Sequence, residues 1–221
     1  LRYLDLSGND IETLPGNLGA LKDLFYFDLS GNKLDKLPAS FVSLTSLQNL
    51  YLDYNRAQAI DQDFQILGKL PLLRVLNIRG DSIQTLPASI GNLKNLEYLE
   101  LSDNEIEVLP EAFTQLKKLQ ILYINNDSRF NLAKNINILR GMSNLKELHL
   151  EGDHFEKLPD DIKYLKSLEY LYLANNDLTE LPASLKELEK LKFIDISNNK
   201  MPHIMLYQYR DDLSPTIKIK F

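Results

Sequence analysis

The sequence predicts an α/β fold in which a parallel β-sheet is backed by short helices or 3-10 turns. Two observations lead to this prediction. The phrase LxxLxLxxN occurs nine times along the 221 residues. Within each copy the leucines follow neither the alternation of a simple strand nor the 3.6-residue period of a helix. A short repeated unit cannot bury its apolar side alone, so stacked copies are expected to share one core.

The ninth position of the phrase marks each repeat, and it is occupied by Asn9, Asn32, Asn55, Asp81, Asn104, Asp127, Asp153, Asn176 and Asn199. The successive spacings are 23, 23, 26, 23, 23, 26, 23 and 23 residues. Three consecutive spacings sum to 72, so Asn55, Asp127 and Asn199 recur at that interval. Either a unit of three repeats was duplicated or two types of repeat alternate.

Each repeat begins with a strand that has one apolar side. In "LEYLELS", Leu99 and Leu101 point toward the core, whereas Tyr98, Glu100 and Ser102 point to the opposite side of the strand. Copies stacked about 4.8 Å apart would build a continuous leucine core.

The ninth residue follows the strand, where the chain leaves the sheet. The amide of Asn104 both donates and accepts, so it is expected to bond the turning backbone and to form a ladder with neighbouring copies. Asp81, Asp127 and Asp153 take this place in three repeats. Because an ionised carboxylate only accepts hydrogen bonds, these three rungs are expected to be weaker or hydrated.

A Leu-Pro pair then marks the start of a short helical segment on the other side of the repeat, at Pro15, Pro38, Pro87, Pro110, Pro159 and Pro182. The two 26-residue repeats lack this proline and carry "DQDFQILGKL" and "AKNINILRGM", with apolar residues three apart. These segments predict helices longer by about one turn. At the end of the chain, Ile217, Ile219 and Phe221 alternate in "SPTIKIKF" and predict a last, capping strand.

The full pattern LxxLxLxxNxLxxLPxxLxxLxx resembles the leucine-rich repeat family, and its 23-residue Leu-Pro form is similar to Ras-group and many bacterial leucine-rich repeat proteins. The resemblance covers residues 1 to about 204. It implies a right-handed horseshoe-shaped solenoid with the parallel sheet on its concave side. We therefore expect one domain over residues 1–221, with nine repeats and a capping segment from about residue 205.

Composition limits the classes of function. The net charge of −6 disfavours nucleic acid and anionic membrane surfaces as partners, and no apolar run is long enough to insert into a membrane. The chain begins at Leu1 in mid-pattern, so a signal or anchor could precede it. The absence of cysteine fits a soluble protein of either the cytoplasm or the exterior of a bacterium.

The sequence offers little for catalysis and implies no cofactor. It contains no cysteine and no glycine-rich phosphate loop, and its only histidines are His149, His154 and His203. A metal site formed by Asp153, His154, His149, Glu147 and Glu151 is one interpretation of that region. The simpler interpretation is a solvated strand followed by a turn.

The face of the sheet that points away from the core is more informative. Positions 2, 3, 5, 7 and 8 of the nine repeats hold eight of the eleven tyrosines, with ten acidic and five basic residues. Tyrosine favours strands, which is one explanation of the excess. The other is that rigid tyrosine rings on an acidic surface bind a protein that presents Lys, Arg and apolar groups.

The densest part of this face is the predicted partner-binding site, which contains Tyr98, Glu100, Ile121, Tyr123, His149, Tyr170 and Tyr172. The sequence thus favours a non-catalytic protein-interaction module, bacterial in type. Three alternatives stay open: the recognition domain of a larger bacterial effector or signalling enzyme, a surface adhesin for glycan or host protein, and a metal-dependent hydrolase.

Overall fold

The computed structural model describes residues 1–56, 59–202, 204–205, 209, 213 and 215–221. Ten strands form one open parallel sheet in the order of the sequence, as the repeats predict. The strands are β1 (Tyr3–Asp5), β2 (Tyr26–Asp28), β3 (Asn49–Tyr51), β4 (Val75–Asn77), β5 (Tyr98–Glu100), β6 (Ile121–Tyr123), β7 (Glu147–His149), β8 (Tyr170–Tyr172), β9 (Phe193–Asp195) and β10 (Lys218–Lys220).

The register of the sheet keeps equivalent positions of all repeats in line. Leu76 pairs with Leu99, Leu99 with Leu122, and Leu122 with Leu148. Leu99 and Leu101 are fully buried, and the core that they belong to is continuous from Leu18 to Leu213 among the described residues. Residues at the third and fifth positions of each repeat therefore lie in rows across the opposite, concave face.

The convex side carries the predicted short helical segments. In the 23-residue repeats these are 3-10 turns at Leu18–Ala20, Ala39–Ser43, Ala88–Asn92, Glu111–Gln115, Asp160–Tyr164 and Ala183–Glu187. The two longer repeats instead form α1 (Ile60–Leu67) and α2 (Leu132–Leu139), which confirms the prediction of fuller helices there.

The asparagine ladder is present. The Nδ2 group of Asn104 donates to the carbonyl oxygens of Ile78 and Leu101 at 3.1 and 2.7 Å, and its Oδ1 accepts from the backbone N–H of Ile83 at 2.9 Å. Asn104 is buried, so each bond satisfies a backbone group that water cannot reach. Asn32, Asn55, Asn176 and Asn199 make the same types of bond.

The aspartate rungs are buried rather than hydrated, and they make fewer hydrogen bonds than the asparagine rungs, since one carboxyl oxygen of Asp127 and one of Asp153 have no partner among the described residues. Asp81, Asp127 and Asp153 are buried, and each accepts a backbone N–H from an earlier repeat. Burial raises the pKa of Asp81 to about 7, of Asp127 to about 6 and of Asp153 to about 8. The carboxyl of Asp153 is therefore mostly protonated at neutral pH and carries an O–H donor in place of the amide.

The two α-helices contribute a second type of bond between repeats. Asp63 in α1 accepts from the backbone N–H of Leu37 at 2.9 Å, and Asn135 in α2 accepts from that of Leu109 at 2.7 Å. Each N–H belongs to the leucine of a Leu-Pro pair. Asn135 also donates to the carbonyl oxygens of Glu107 and Asn131, which an ionised aspartate at the equivalent position cannot do.

Replacement of Asp63 by Asn should therefore stabilise the protein by about 1 kcal/mol at pH 8. Burial raises the pKa of Asp63 to about 6, and an amide removes the buried charge while keeping the bond from Leu37. The free energy of unfolding in urea measures the change. The reverse substitution, Asn135→Asp, is the matched control and should destabilise; a loss of stability in Asp63→Asn as well would contradict this explanation.

The end of the chain confirms the predicted last strand, because β10 pairs with β9 through Ile219 and Ile194. Tyr209 contributes a further bond between repeats, since its Oη accepts from the backbone N–H of Leu181 at 2.7 Å. His203 and much of the expected capping segment, at 206–208, 210–212 and 214, lie outside the described residues.

Candidate functional site

Five aromatic side chains form a stack across the concave face, one on each of the strands β5 to β9. We call Tyr98, Tyr123, His149, Tyr172 and Phe193 the aromatic stack. The ring centroids are 5.3 Å apart between Tyr98 and Tyr123, 3.7 Å between Tyr123 and His149, 4.0 Å between His149 and Tyr172, and 5.3 Å between Tyr172 and Phe193. The parallel register places Tyr123, His149 and Tyr172 side by side at the fifth position of their repeats, and Tyr98 and Phe193 extend the stack from the third position.

His149 holds the middle of the aromatic stack. Its ring is nearly parallel to those of Tyr123 and Tyr172, at 14° and 6°. Its Nδ1 lies 3.1 Å from a carboxylate oxygen of Glu151, and its Nε2 lies 2.8 Å from one of Glu147. Because carboxylates only accept, both contacts are hydrogen bonds when both ring nitrogens carry a hydrogen. The two tyrosine rings are thus held at a fixed separation.

The same contacts bear on the metal-site interpretation. Both ring nitrogens of His149 already face carboxylates, and His154 is exposed, with its Nδ1 3.3 Å from Asp177. Within the described parts of the chain, no group of three or more His, Cys, Asp or Glu side chains is arranged to hold a metal ion.

The seven predicted site residues all lie on the adjacent strands β5 to β8. Tyr98, Tyr123 and Tyr172 belong to the aromatic stack, and Ile121 and Tyr170 lie at the third position of their repeats, each paired in register with Glu147. Two residues differ from the expectation of an open surface.

Glu100 and His149 are only 8% and 6% exposed. Glu100 folds back to accept from the backbone N–H of Ser102 at 2.8 Å, and His149 is covered by the rings on both sides. His149 is therefore better described as a support of the tyrosines than as an open contact residue, and Glu100 leaves only a small part of its surface open to a ligand. Phe193 was missing from the predicted site, although its place at the third position of the ninth repeat could have identified it.

The surroundings keep the tyrosines in their neutral form. Burial, followed by nearby acids, raises the pKa of Tyr98, Tyr123 and Tyr172 above the usual value. The main acid is Glu100 beside Tyr98 and Glu147 beside the other two. The three hydroxyl groups therefore keep their hydrogens, and those of Tyr98 and Tyr123 are hydrogen-bonded to each other.

Acidic groups on the concave face fall into two sets. Four of them have basic partners, in the pairs Glu97–Arg74, Asp103–Arg79, Glu169–Lys192 and Asp195–Lys220. The other six have no Lys or Arg partner among the described residues: Glu147 and Glu151 lie against His149, and Asp5, Asp28, Asp53 and Glu100 form no ion pair. The uncompensated negative charge therefore lies near the tyrosines Tyr26, Tyr51 and Tyr98.

A second aromatic group lies near the first repeats. Tyr3 contacts Phe25 and Tyr26 with ring centroids 5.9 Å apart in both cases, and Tyr26 contacts Tyr51 at 5.2 Å. We call these four residues the N-terminal tyrosine cluster. The fourth repeat lies between this cluster and the aromatic stack, and it carries the non-aromatic residues Val75 and Asn77 at its third and fifth positions.

Tyr54 is exposed, has an unusual backbone and was missing from the predicted site. Tyr54 occupies the eighth position of its repeat, and the residue at this position has a positive φ in every repeat. In the other eight repeats it is Gly8, Gly31, Gly80, Asp103, Asn126, Gly152, Asn175 or Asn198. Tyr54 has the same left-handed conformation, at φ 55°, which costs an ordinary side chain about 1–2 kcal/mol.

The contacts of Tyr54 explain how this conformation is held. Its ring lies against Gly80, where a Cβ atom would come within 2.3 Å of it, and its hydroxyl donates to Asp103 at 3.1 Å. The guanidinium of Arg79 lies 5.8 Å from the ring centroid. The glycine, aspartate or asparagine at the eighth position of the other repeats was the available signal of this conformation.

The described residues contain no helix of the length and apolar character that crossing a membrane requires.

Comparison with known proteins extends over nearly the whole chain. Residues 1–56 and 143–201 match the family described as "Leucine rich repeat", and residues 55–146 match the one described as "Leucine-rich repeat region". No curated protein sequence matches the chain.

Several solved structures have a similar fold. TLR13, in its complex with ssRNA13, is 29% identical with a TM-score of 0.80, over 99% of this chain and 36% of that one. This chain thus spans about a third of the TLR13 chain. The leucine-rich repeat domain of the type III effector XopL is 23% identical with a TM-score of 0.75, over 99% and 75% of the two chains. Internalin C2 of Listeria monocytogenes is 22% identical with a TM-score of 0.70, over 88% and 80%.

Proposed function

Because the chain belongs to the leucine-rich repeat family, we propose that it is a non-catalytic protein-interaction module. Its concave face binds a protein partner that presents basic and apolar side chains. The proposed contact surface contains Tyr98, Glu100, Ile121, Tyr123, Tyr170 and Tyr172, together with Phe193, and His149 holds its rings in place. Residues 1–221 act as one domain in this proposal.

The aromatic stack is the observation that carries the proposal. Tyr123 and Tyr172 are half-buried and are fixed on both sides of His149. A tyrosine that is already ordered loses little conformational entropy when a partner covers it, so its contact area contributes to affinity with a small opposing cost. Five such rings in contact across five strands favour an anchoring surface over isolated strand-forming residues.

Charge supports a protein partner in preference to nucleic acid. The positions that form the concave face carry ten acids and five bases, and the acids near Tyr26, Tyr51 and Tyr98 have no basic partner among the described residues. This surface repels phosphate groups and attracts arginine and lysine, which also bind to the faces of aromatic rings. TLR13 was solved with ssRNA13, but the acidic concave face here favours the protein ligand.

Single substitutions of Tyr123 and Tyr172 by Ala should each weaken partner binding about 10- to 100-fold. Each removes an anchoring ring and leaves the leucine core intact. Proteins are first captured on the immobilised wild-type chain and, in parallel, on a chain that carries both substitutions. The partner is the protein that only the wild-type chain retains, and mass spectrometry identifies it. Its dissociation constant for each variant is then measured with purified proteins.

Two control variants separate binding from folding. Tyr164→Ala removes a tyrosine of the convex side that is 43% exposed, and it should leave affinity unchanged. Tyr123→Phe keeps the ring against His149, so it should retain most of the affinity. If Tyr123→Ala and Tyr172→Ala bind as tightly as the wild type while Tyr164→Ala binds weakly, the concave tyrosines serve only as strand formers and the proposed function is wrong.

A further inference from the structure

Two tyrosine pairs of the concave face are equivalent by the internal 72-residue period. Tyr26 and Tyr51 have ring centroids 5.2 Å apart and planes inclined by 40°. Tyr98 and Tyr123 lie 72 positions later, with centroids 5.3 Å apart and planes inclined by 41°. The same arrangement of two rings thus occurs twice on one surface.

An acid accompanies each pair at the same place in the repeat. Asp28 lies on β2 two residues after Tyr26, and Glu100 lies on β5 two residues after Tyr98. Asp28 accepts from the backbone N–H of Ser30 at 2.9 Å, and Glu100 accepts from that of Ser102 at 2.8 Å. These bonds fix both carboxyl groups beside the rings.

Neither carboxyl group has a basic side chain as a partner within the described parts of the chain, in contrast to Asp195, which is 2.8 Å from the Nζ of Lys220. Burial raises the pKa of Glu100, and the nearby Arg79 and His149 offset this only in part. In both places a cationic ligand would therefore supply the missing opposite charge.

We propose that the Tyr26–Tyr51–Asp28 group is a second ligand subsite, equivalent to the Tyr98–Tyr123–Glu100 group, and that each takes one arginine side chain of the same extended peptide segment. This rests on the proposed function, because it specifies the partner of the concave face. Arginine suits both subsites, since its planar guanidinium pairs with a carboxylate and stacks on a ring at the same time.

The separation of the subsites sets the spacing of the two arginines. Strands β2 and β5 are three steps apart in the sheet, which corresponds to about 14 Å at 4.8 Å per step. An extended chain advances about 3.4 Å per residue, so four residues span nearly the same distance. Side chains four residues apart in a strand also point to the same side.

The strand between the subsites agrees with this spacing. The third and fifth positions of the fourth repeat, which lie on β4, are Val75 and Asn77, and both are uncharged. The middle residue of the ligand, two positions from each arginine, lies above them in this arrangement. An uncharged side chain is therefore expected there.

Fluorescein-labelled threonine-rich peptides of about nine residues, which favour an extended chain, provide the probe. One peptide carries arginines at positions i and i+4, a second carries them at i and i+3 so that they point to opposite sides, and a third carries one arginine. Fluorescence anisotropy with the full chain measures each dissociation constant. We expect the i, i+4 peptide to bind at least about tenfold more tightly than either of the others, because its second arginine binds at a high effective concentration.

Charge-removing substitutions then identify the two subsites. Asp28→Asn and Glu100→Gln keep the acceptor for the serine N–H and remove the charge. Each should lower the affinity of the i, i+4 peptide to that of the one-arginine peptide. Asp195→Asn removes the same charge at an equivalent strand position where the carboxylate is already paired with Lys220, so it should have little effect. Thermal unfolding confirms that each variant is folded.

Other outcomes overturn the inference. If the three peptides bind equally, if none binds, or if Glu100→Gln weakens binding and Asp28→Asn does not, two equivalent subsites do not exist. The proposed function fails separately, when Tyr123→Ala and Tyr172→Ala leave the affinity for the captured protein partner unchanged.

Discussion

Replacement of Asn104 by leucine is expected to lower the free energy of unfolding by about 3 kcal/mol. Leucine is similar in size but apolar, so it leaves the carbonyl of Ile78 and the backbone N–H of Ile83 without their partner. Asn104 is buried, so water does not replace these bonds. Unsatisfied buried backbone groups are the main cause of the loss.

Asn9→Leu provides a matched control in urea titrations of both variants. Asn9 occupies the same position in the first repeat, but it is exposed and its Nδ2 donates only to Leu6 and Ser7 of its own repeat. Its replacement should cost less than about 1 kcal/mol. Equal losses at the two positions would show that bonds between repeats are not the source of the stability.

Replacement of Asp153 by Asn is expected to stabilise the protein by about 3 kcal/mol above pH 8 and much less at pH 5. Burial raises the pKa of Asp153 to about 8 from its usual 3.8. Between these values the folded state holds a proton that the unfolded state has lost. The contribution of Asp153 to stability therefore decreases as pH rises from about 4 to about 8, and Asn removes this dependence.

The structure gives this substitution a clear physical basis. The backbone N–H of Asp127 donates to Asp153 at 2.7 Å, and the amide oxygen of an asparagine would preserve that bond. The other carboxyl oxygen of Asp153 is buried without a hydrogen-bond partner among the described residues, and an amide would place a donor there. Urea titrations at pH 5, 7 and 8.5 measure the difference. A gain that is the same at all three pH values would contradict the assigned protonation.

The repeated positions of the sequence predicted most of the fold. The alternation around Leu99 and Leu101 predicted the strand and its buried side, because only one side of each strand is apolar. The amide of Asn104 predicted the ladder, because it is a side chain that both donates and accepts. The missing prolines of the third and sixth repeats predicted α1 and α2, and the alternation near Ile219 predicted β10.

Features that depend on neighbouring repeats were harder to predict. Strand alternation correctly placed Glu100 and His149 on the concave face, but it carries no information on how far adjacent rings cover them. The bond from Leu37 to Asp63 requires the helix and the preceding repeat in their final positions. The backbone of Tyr54 is left-handed in spite of its side chain, because contacts with Gly80 in the next repeat and Asp103 two repeats away hold it.

Hydroxyl-radical footprinting of the chain, alone and with its captured protein partner, tests recognition by the concave face most directly. Mass spectrometry reports the oxidation of individual tyrosines, and Tyr164 on the convex side serves as an internal reference. We predict that the partner protects Tyr98, Tyr123 and Tyr172 and leaves Tyr164 unchanged. Protection of Tyr164 with unchanged oxidation of the three concave tyrosines would contradict the proposed function.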